Sequence, residues 1–262
     1  MPDADIAARL PAPPPLSDDC ALFLDVDGCL LDFHDDPASV RAEPPLVARL
    51  DAIARRLDGA LALVSGRSIA SLDRMFAPGA FAAGGLHGLE RRAAGSMPAP
   101  EAAVPAFDRA AWTKLVADAR AWMAGHPRAV VEDKQRTLAL HWRAAPEAEG
   151  DARAFAALAL ARLPGYQLQP GNRVLELRPA GADKGGAIAA FLSEPPFAGR
   201  TPVFAGDDLT DEPGFALVNE RAGISIVVGD RRPTQAAYRL ADPAGVRRWL
   251  EQWPGDGREA SA

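Results

Sequence analysis

Four short apolar runs constrain the fold of this chain more than any other feature of its sequence. None of them alternates polar with apolar residues, and each ends in polar or glycine-rich residues. Runs of this kind are typical of strands that are buried on both faces of a parallel sheet. Between them, apolar residues such as Leu46, Leu50 and Ile53 recur at helical spacing. The pattern predicts an α/β fold with a doubly wound parallel sheet. The four runs are residues 21–24, 60–64, 202–205 and 223–228.

The middle of the chain has a different pattern and predicts a smaller α/β cap inserted into the core. A stretch rich in proline and alanine over 95–105 is typical of a linker. Helices are predicted over 108–125, where Trp112 and Trp122 would be buried, and over 151–163. The predicted division is a core of residues 1–92 and 180–262 and a cap of residues 93–179.

Two strand pairs are expected to complete this cap, one after each helix. The first joins 129–134 to 137–143, and the second joins 166–169 to 173–178 through a turn at 170–172, where proline, glycine and asparagine follow one another.

Composition excludes several classes of partner. The net charge is −6 over 262 residues, so no overall positive field attracts nucleic acid or an anionic membrane. No apolar stretch approaches the length of a membrane span, and the first residues do not resemble a secretory signal. With only Cys20 and Cys29 as cysteines, a reducing cytoplasm is the expected location. The sequence does not specify an oligomeric state, and a monomer is compatible with it.

Asp25 and Asp27 are the first candidates for chemistry, because side chains two apart in an extended segment point to the same side. Two adjacent carboxylates require a cation, and Mg²⁺ prefers such oxygen ligands; Asp207 and Asp208 would supply more. One carboxylate could then attack phosphorus while the other transfers protons. The alternative is that an isolated Asp-x-Asp-Gly only caps a turn.

Three further motifs follow in the order and at the strand edges that such a site requires, and together they resemble the haloacid-dehalogenase phosphatases. They are Ser65-Gly66-Arg67, Asp183-Lys184-Gly185 and the stretch 206–212. The resemblance implies an aspartyl-phosphate mechanism with Mg²⁺ as cofactor. It implies that Asp25 is the nucleophile, that Asp27 is the acid and base, and that Ser65 and Lys184 bind the phosphoryl group. The implied metal ligands are Asp25, Asp27, Asp207 and Asp208, with Asp211 in a supporting position.

Cys29 departs from this family pattern, in which threonine usually occupies the position. A weak thiol donor replaces a hydroxyl there. We expect a modest loss of local hydrogen bonding, because the acidic residues and Lys184 are all retained.

A finer resemblance, to trehalose-6-phosphate phosphatases, is given by residues 85–90, 132–134, 141–143, 176–179 and 206–212. It implies a sugar phosphate as the small-molecule partner. Independent support comes from strand alternation, which places Glu132 and Lys134 on one face. The resemblance implies substrate-binding roles for Gly28, Glu132, Lys134 and Glu176, with Arg67, His87 and Arg143 nearby.

Three alternatives stay open. A phosphatase for sucrose phosphate or a hexose phosphate would use the same core. A non-catalytic sugar-phosphate sensor is compatible with Cys29 but not favoured by the otherwise complete acidic set. A mutase would pass the phosphoryl group to a second sugar hydroxyl instead of water.

Overall fold

Eleven strands and seven helices are found in the computed structural model, which describes residues 10–34, 40–76, 81–94, 96 and 108–253. The strands are β1 (Cys20–Leu24), β2 (Leu61–Val64), β3 (Ala82–Gly85), β4 (Glu90–Arg92), β5 (Val130–Asp133), β6 (Leu138–His141), β7 (Tyr166–Gly171), β8 (Val174–Pro179), β9 (Thr201–Gly206), β10 (Ile224–Val228) and β11 (Tyr238–Leu240). The helices are α1 (Pro44–Arg56), α2 (Ile69–Phe76), α3 (Arg109–Trp122), α4 (Glu149–Leu160), α5 (Lys184–Leu192), α6 (Glu212–Glu220) and α7 (Pro243–Glu251).

A seven-stranded sheet in the order β11-β10-β9-β1-β2-β3-β4 forms the core. Its neighbours pair in parallel, except for β4, which is antiparallel to β3. Every residue of β1 is buried, as expected when helices cover both faces of a sheet. The predicted doubly wound α/β fold is confirmed, and all four apolar runs form strands.

Strand order reverses direction beside β1, and this determines where ligands can bind. From β1 the chain adds β2 and β3 on one side, whereas β9, β10 and β11 extend on the other. In doubly wound sheets the loops separate at such a switch point and leave a crevice at the carboxyl ends of the strands. Here the crevice lies beyond Leu24 and Gly206.

Helices pack on this sheet through the apolar faces that the sequence pattern predicted. In α1 the buried residues are Leu46, Leu50 and Ile53, and α1 packs on α7. Helix α5 packs on α6 and on β2 and β3. No helix in the described part of the chain is long and apolar enough to span a membrane.

The cap is a four-stranded antiparallel sheet in the order β5-β6-β8-β7. Helices α3 and α4 pack on it and on each other. Its apolar cluster is separate from that of the core and includes Trp112, Phe155 and Leu177. Asp108 caps α3 by accepting hydrogen bonds from the main-chain N–H groups of Ala110 and Ala111.

Two details of the cap differ from the sequence prediction. Trp122 is 44% exposed, because Met123 takes the buried position one turn after Ala119, and the Trp122 ring packs against Phe155 instead. The second hairpin turns later than predicted, since the last pair of its strands is Gly171 with Val174.

The predicted linker over 95–105 lies outside the described residues, apart from Ser96. The exact division into residues 1–92, 93–179 and 180–262 stays a prediction.

Leu177→Ala should lower the free energy of unfolding by about 2–5 kcal/mol, because its side chain is fully buried on β8. Leu158→Ala is the matched control: Leu158 is 52% exposed on α4, so its loss should change stability by less than about 0.5 kcal/mol. Urea unfolding of both variants measures the difference. Equal losses would contradict this packing of the cap.

Candidate active site

A cleft lies between the carboxyl edge of the core sheet and the cap sheet. Gly28 and Asp211, both predicted at the site, are not in its lining: Asp211 is fully buried, and Gly28 packs against Asp207. All other predicted site residues line the cleft, namely Asp25, Asp27, Ser65, Arg67, His87, Glu132, Lys134, Arg143, Glu176, Lys184, Asp207 and Asp208.

Asp25 and Lys184 form the buried centre of this cleft. Asp25 directly follows β1, and its N–H donates to the carbonyl of Ala205 on β9 at 2.9 Å. Lys184 is the first residue of α5, and its Nζ lies 2.9 Å from Asp25 Oδ1 and 2.6 Å from Asp211 Oδ1. Burial alone would lower the pKa of Lys184, but the two carboxylates hold it well above its ordinary value. The ammonium therefore stays charged at the base of the cleft.

Asp211 fixes the loop that follows β9. Its Oδ2 accepts hydrogen bonds from the N–H groups of Asp207 and Asp208, each at 2.9 Å. A side chain at Gly206 would overlap the Asp211 carboxylate, so this approach requires glycine. Asp208 caps the short 3₁₀ turn at Leu209–Asp211 by accepting from the Leu209 N–H at 2.6 Å.

Three carboxylates of this cluster lie close enough together to hold a cation. Asp25, Asp207 and Asp211 each offer an oxygen within 4.8 Å of the others. Asp207 Oδ1 is buried and accepts no hydrogen bond from the described residues. Burial, together with the charges of Asp25 and Asp211, raises the pKa of Asp207 to about 10. Burial likewise raises the pKa of Asp25 to about 7, although Lys184 opposes the shift. A hard cation would relieve this repulsion, so the residues fit a site for one.

This set differs in part from the predicted metal ligands. Asp25 and Asp207 belong to both sets, whereas the Asp27 carboxylate pairs with Arg67 through contacts of 2.6 and 2.7 Å. The Asp208 carboxylate is engaged in capping, and Asp211 takes its place in the cluster. The metal-binding roles of Asp27 and Asp208 stay predictions.

Ser65 follows β2 on the other side of Asp25 and is held by two turns. Its Oγ accepts a hydrogen bond from the Arg67 N–H at 3.2 Å, and its carbonyl accepts from the His87 N–H at 2.9 Å. His87 has a left-handed φ of +57°, and its ring lies 2.6 Å from where a β-carbon on Gly66 would stand. Glycine at 66 therefore lets His87 pack against the Ser65 loop.

Glu176 is the centre of a second buried network that joins the cap to the core. Its carboxylate accepts from Thr137 Oγ1 at 2.5 Å and Lys134 Nζ at 3.2 Å, and lies 3.1 Å from His87 Nε2. Burial alone would raise the pKa of Glu176, yet Lys134 and His87 hold it well below its ordinary range. Lys134 Nζ also donates to the Gly66 carbonyl at 2.8 Å. Cap residues thus contact the Ser65 loop directly.

Glu132 and Arg143 lie on the more open side of the cleft. The Glu132 carboxylate is 2.9 Å from His141 Nε2, and its side chain is 32% exposed, against 7% for Glu176. The Arg143 guanidinium lies 4.3 Å from the centre of the Phe33 ring and donates to the Asn172 carbonyl at 3.1 Å. These groups can hydrogen-bond a polar ligand that enters beneath the cap.

Sequence reasoning did not assign several other cleft residues to the site. Alternation along β6 places His141 on the same face as Arg143, which is a usable signal. Phe33 follows the Asp25–Leu31 segment as an exposed aromatic, and no motif distinguishes it. The unassigned polar and aromatic lining residues are Phe33, His34, His141, Gln169, Asn172 and Thr210.

A carboxylate after the central strand, a buried lysine, an acidic cluster and an α/β cap form the arrangement that the resemblance to haloacid-dehalogenase phosphatases leads us to expect. Residues 23–244 match the family described as trehalose-phosphatase. The chain belongs to the trehalose-phosphatase family.

Individual proteins agree with this assignment. The chain is 40% identical over 238 residues to the trehalose-6-phosphate phosphatase of Escherichia coli. The matched residues make up 91% of this chain and 88% of that protein. It is 43% identical over 221 residues to a Sinorhizobium fredii protein named "Probable trehalose-phosphate phosphatase", over 84% of this chain and 82% of the relative. The C-terminal domain of the Candida albicans trehalose-6-phosphate phosphatase shares the fold, with a TM-score of 0.77 at 22% identity over 93% of this chain and 97% of that one.

Mg²⁺ should raise the melting temperature of the protein, and EDTA should reverse the rise, because a ligand bound only by the folded state stabilises it. Asp207→Asn should abolish most of this shift, since it replaces one of the three carboxylates of the cluster with an amide that cannot become an anionic ligand. Asp118→Asn is the control, because Asp118 pairs with Lys114 on the outer surface of the cap helix α3. Differential scanning fluorimetry across a Mg²⁺ titration measures all three proteins. An unchanged shift in Asp207→Asn would contradict the cation site.

Proposed function

We propose that this protein is a Mg²⁺-dependent phosphatase that hydrolyses trehalose 6-phosphate to trehalose and phosphate through an aspartyl-phosphate on Asp25. The observation that carries the proposal is the contact between Asp25 and the buried Lys184 at the switch point of the sheet, beneath a cap that presents charged side chains. The sugar is proposed from membership of the trehalose-phosphatase family and from the names of its relatives.

In the first step, an oxygen of Asp25 attacks phosphorus. The bond from phosphorus to the sugar oxygen breaks, and Asp27 donates a proton to that oxygen, which releases the sugar. The Ser65 hydroxyl and the Lys184 ammonium stabilise the charge that spreads over the phosphoryl oxygens. Bound Mg²⁺ would screen the carboxylates and neutralise phosphoryl charge at the Asp25–Asp207 side of the cleft.

In the second step, water attacks the aspartyl-phosphate. Asp27, now a carboxylate, accepts the proton of that water, and Asp25 is regenerated as inorganic phosphate leaves. The two acidic residues therefore have different roles: the buried Asp25 is the nucleophile, and the partly exposed Asp27 transfers the protons.

Recognition of the sugar is assigned to the cap, which we propose as the substrate-binding domain of residues 93–179. Glu132, Lys134 and Glu176 provide charged acceptors and donors for hydroxyl groups, with Arg67, His87 and Arg143 around them. A site built to hydrogen-bond hydroxyls discriminates strongly against ligands that lack them, because its buried polar groups then stay unpaired. We also propose a cytoplasmic location, as the cysteine usage suggests.

Phosphate release tests the proposal, measured with Mg²⁺ from trehalose 6-phosphate, sucrose 6-phosphate and glucose 6-phosphate, with EDTA controls. We expect strong preference for the first. Asp25→Asn should abolish release, because it removes the nucleophile's charge with little change in shape; circular dichroism checks its fold. Release from another sugar would retain the core mechanism and reject the assigned substrate, whereas appreciable turnover by Asp25→Asn would reject the covalent step.

Glu132→Ala should impair trehalose 6-phosphate hydrolysis much more than that of p-nitrophenyl phosphate, which carries no sugar. Its half-exposed carboxylate lines the cleft, and the loss of a hydrogen bond to a charged group costs roughly 1.5–3 kcal/mol, or about 10- to 100-fold in kcat/KM. Glu147→Ala, on the exposed end of the cap where Glu147 approaches Arg128, is the control. Equal losses with both substrates would make Glu132 structural.

A further inference from the structure

We propose that Arg67 is a positioning residue that fixes Asp27, the acid and base of the proposed reaction, rather than a ligand for the sugar. The inference rests on the proposed function, because it gives Asp27 the proton-transfer role. It departs from the role that family resemblance implies for Arg67, which is contact with the substrate.

The side-chain geometry is that of a two-pronged clamp. Arg67 Nε donates to Asp27 Oδ2 at 2.7 Å and Nη2 donates to Asp27 Oδ1 at 2.6 Å. Both oxygens of the carboxylate are therefore engaged by one planar group, which fixes the orientation of the carboxylate as well as its position. The Arg67 side chain is 9% exposed, whereas that of Asp27 is 30% exposed. Both side chains line the cleft, and Asp27 keeps the more accessible surface while Arg67 is the more buried partner.

The main chain of the same residue supports the phosphoryl side of the cleft. The Arg67 N–H donates to Ser65 Oγ at 3.2 Å, and the Arg67 carbonyl accepts from the Leu86 N–H at 2.9 Å. Through one residue, the hydroxyl expected to bind the phosphoryl group and the carboxylate expected to transfer protons are held in a fixed relation. Proton transfer depends on such placement, since a misplacement of about 1 Å can cost on the order of 100-fold in rate.

Arg67→Lys tests this clamp, because lysine keeps the positive charge but lacks the planar guanidinium that donates two hydrogen bonds to one carboxylate. We expect kcat to fall about 10- to 100-fold with both trehalose 6-phosphate and p-nitrophenyl phosphate, with KM changed less than about threefold, since both esters need the same proton transfers. Added ethylguanidine should restore part of the p-nitrophenyl phosphate activity of Arg67→Ala, a rescue that loss of a merely structural contact would not show.

Arg92→Lys is the matched control. Arg92 clamps Asp73 by two contacts of 2.7 Å, is equally buried, and does not line the cleft. Its variant should keep wild-type kcat, and melting temperatures measured for all variants separate loss of folding from loss of rate.

Two results would overturn the inference. Arg67→Lys could raise KM for trehalose 6-phosphate alone and leave p-nitrophenyl phosphate turnover unchanged, which would make Arg67 a sugar ligand. Arg67→Ala could stay folded but gain nothing from ethylguanidine. If the wild-type protein hydrolyses p-nitrophenyl phosphate but not trehalose 6-phosphate, the substrate assignment fails while the clamp is still tested by the first ester.

Discussion

The ammonium of Lys184, buried between Asp25 and Asp211, is the interaction on which the site depends. It joins the loop after β1, the first turn of α5 and the loop after β9, three segments that are far apart in the sequence. Burying these ions is costly unless each is paired and hydrogen-bonded. Asp211 meets this condition through Lys184 and two main-chain N–H groups, whereas Asp207 does not. The excess of acidic over basic groups at this point is what a divalent cation would balance.

The Glu176 network plays the corresponding role between the cap and the core. Thr137 and Lys134 contact Glu176 from the cap, and His87 contacts it from the core. Burial lowers the pKa of His87, although Glu176 opposes the shift, whereas Glu176 helps to raise the pKa of Lys134 above its ordinary value against the effect of burial. Lys134 is therefore the cation that pairs with Glu176. Lys134 also reaches the Gly66 carbonyl. The position of the cap over the cleft is therefore linked to the loop that holds Ser65 and Arg67.

Much of this architecture could be predicted from sequence because burial imposes it locally. The apolar run of β1, and that of β10 in which Ser225 is the one polar residue, favour strands buried within a parallel sheet. By contrast β3, with the sequence Ala-Ala-Gly-Gly, has little intrinsic preference for a strand, and its pairing with β2 decides its conformation. Trp122 was misplaced because a helical pattern does not distinguish it from Met123, and only the position of α4 does so.

At the site, the sequence alone identified the acidic residues but did not predict which partner each carboxylate contacts. Asp27 and Asp208 were grouped with Asp25 and Asp207 because adjacent carboxylates at strand ends are expected to share a cation. Their roles at a metal stay predictions. The contacts that the structure adds are those of Asp27 with Arg67, forty residues away, and of Asp208 with its own 3₁₀ turn. Contacts of this kind depend on where loops approach one another in space, and no local pattern records them.

Cys29, which stands where the family resemblance leads us to expect threonine, does not add a charge to the site. Its thiol is fully buried, and burial together with the charges of Asp25 and Asp207 raises its pKa well above the ordinary value. The thiol therefore stays neutral, as the hydroxyl of threonine would be. A neutral side chain at this position leaves the balance of charge between the acidic cluster and Lys184 unaltered.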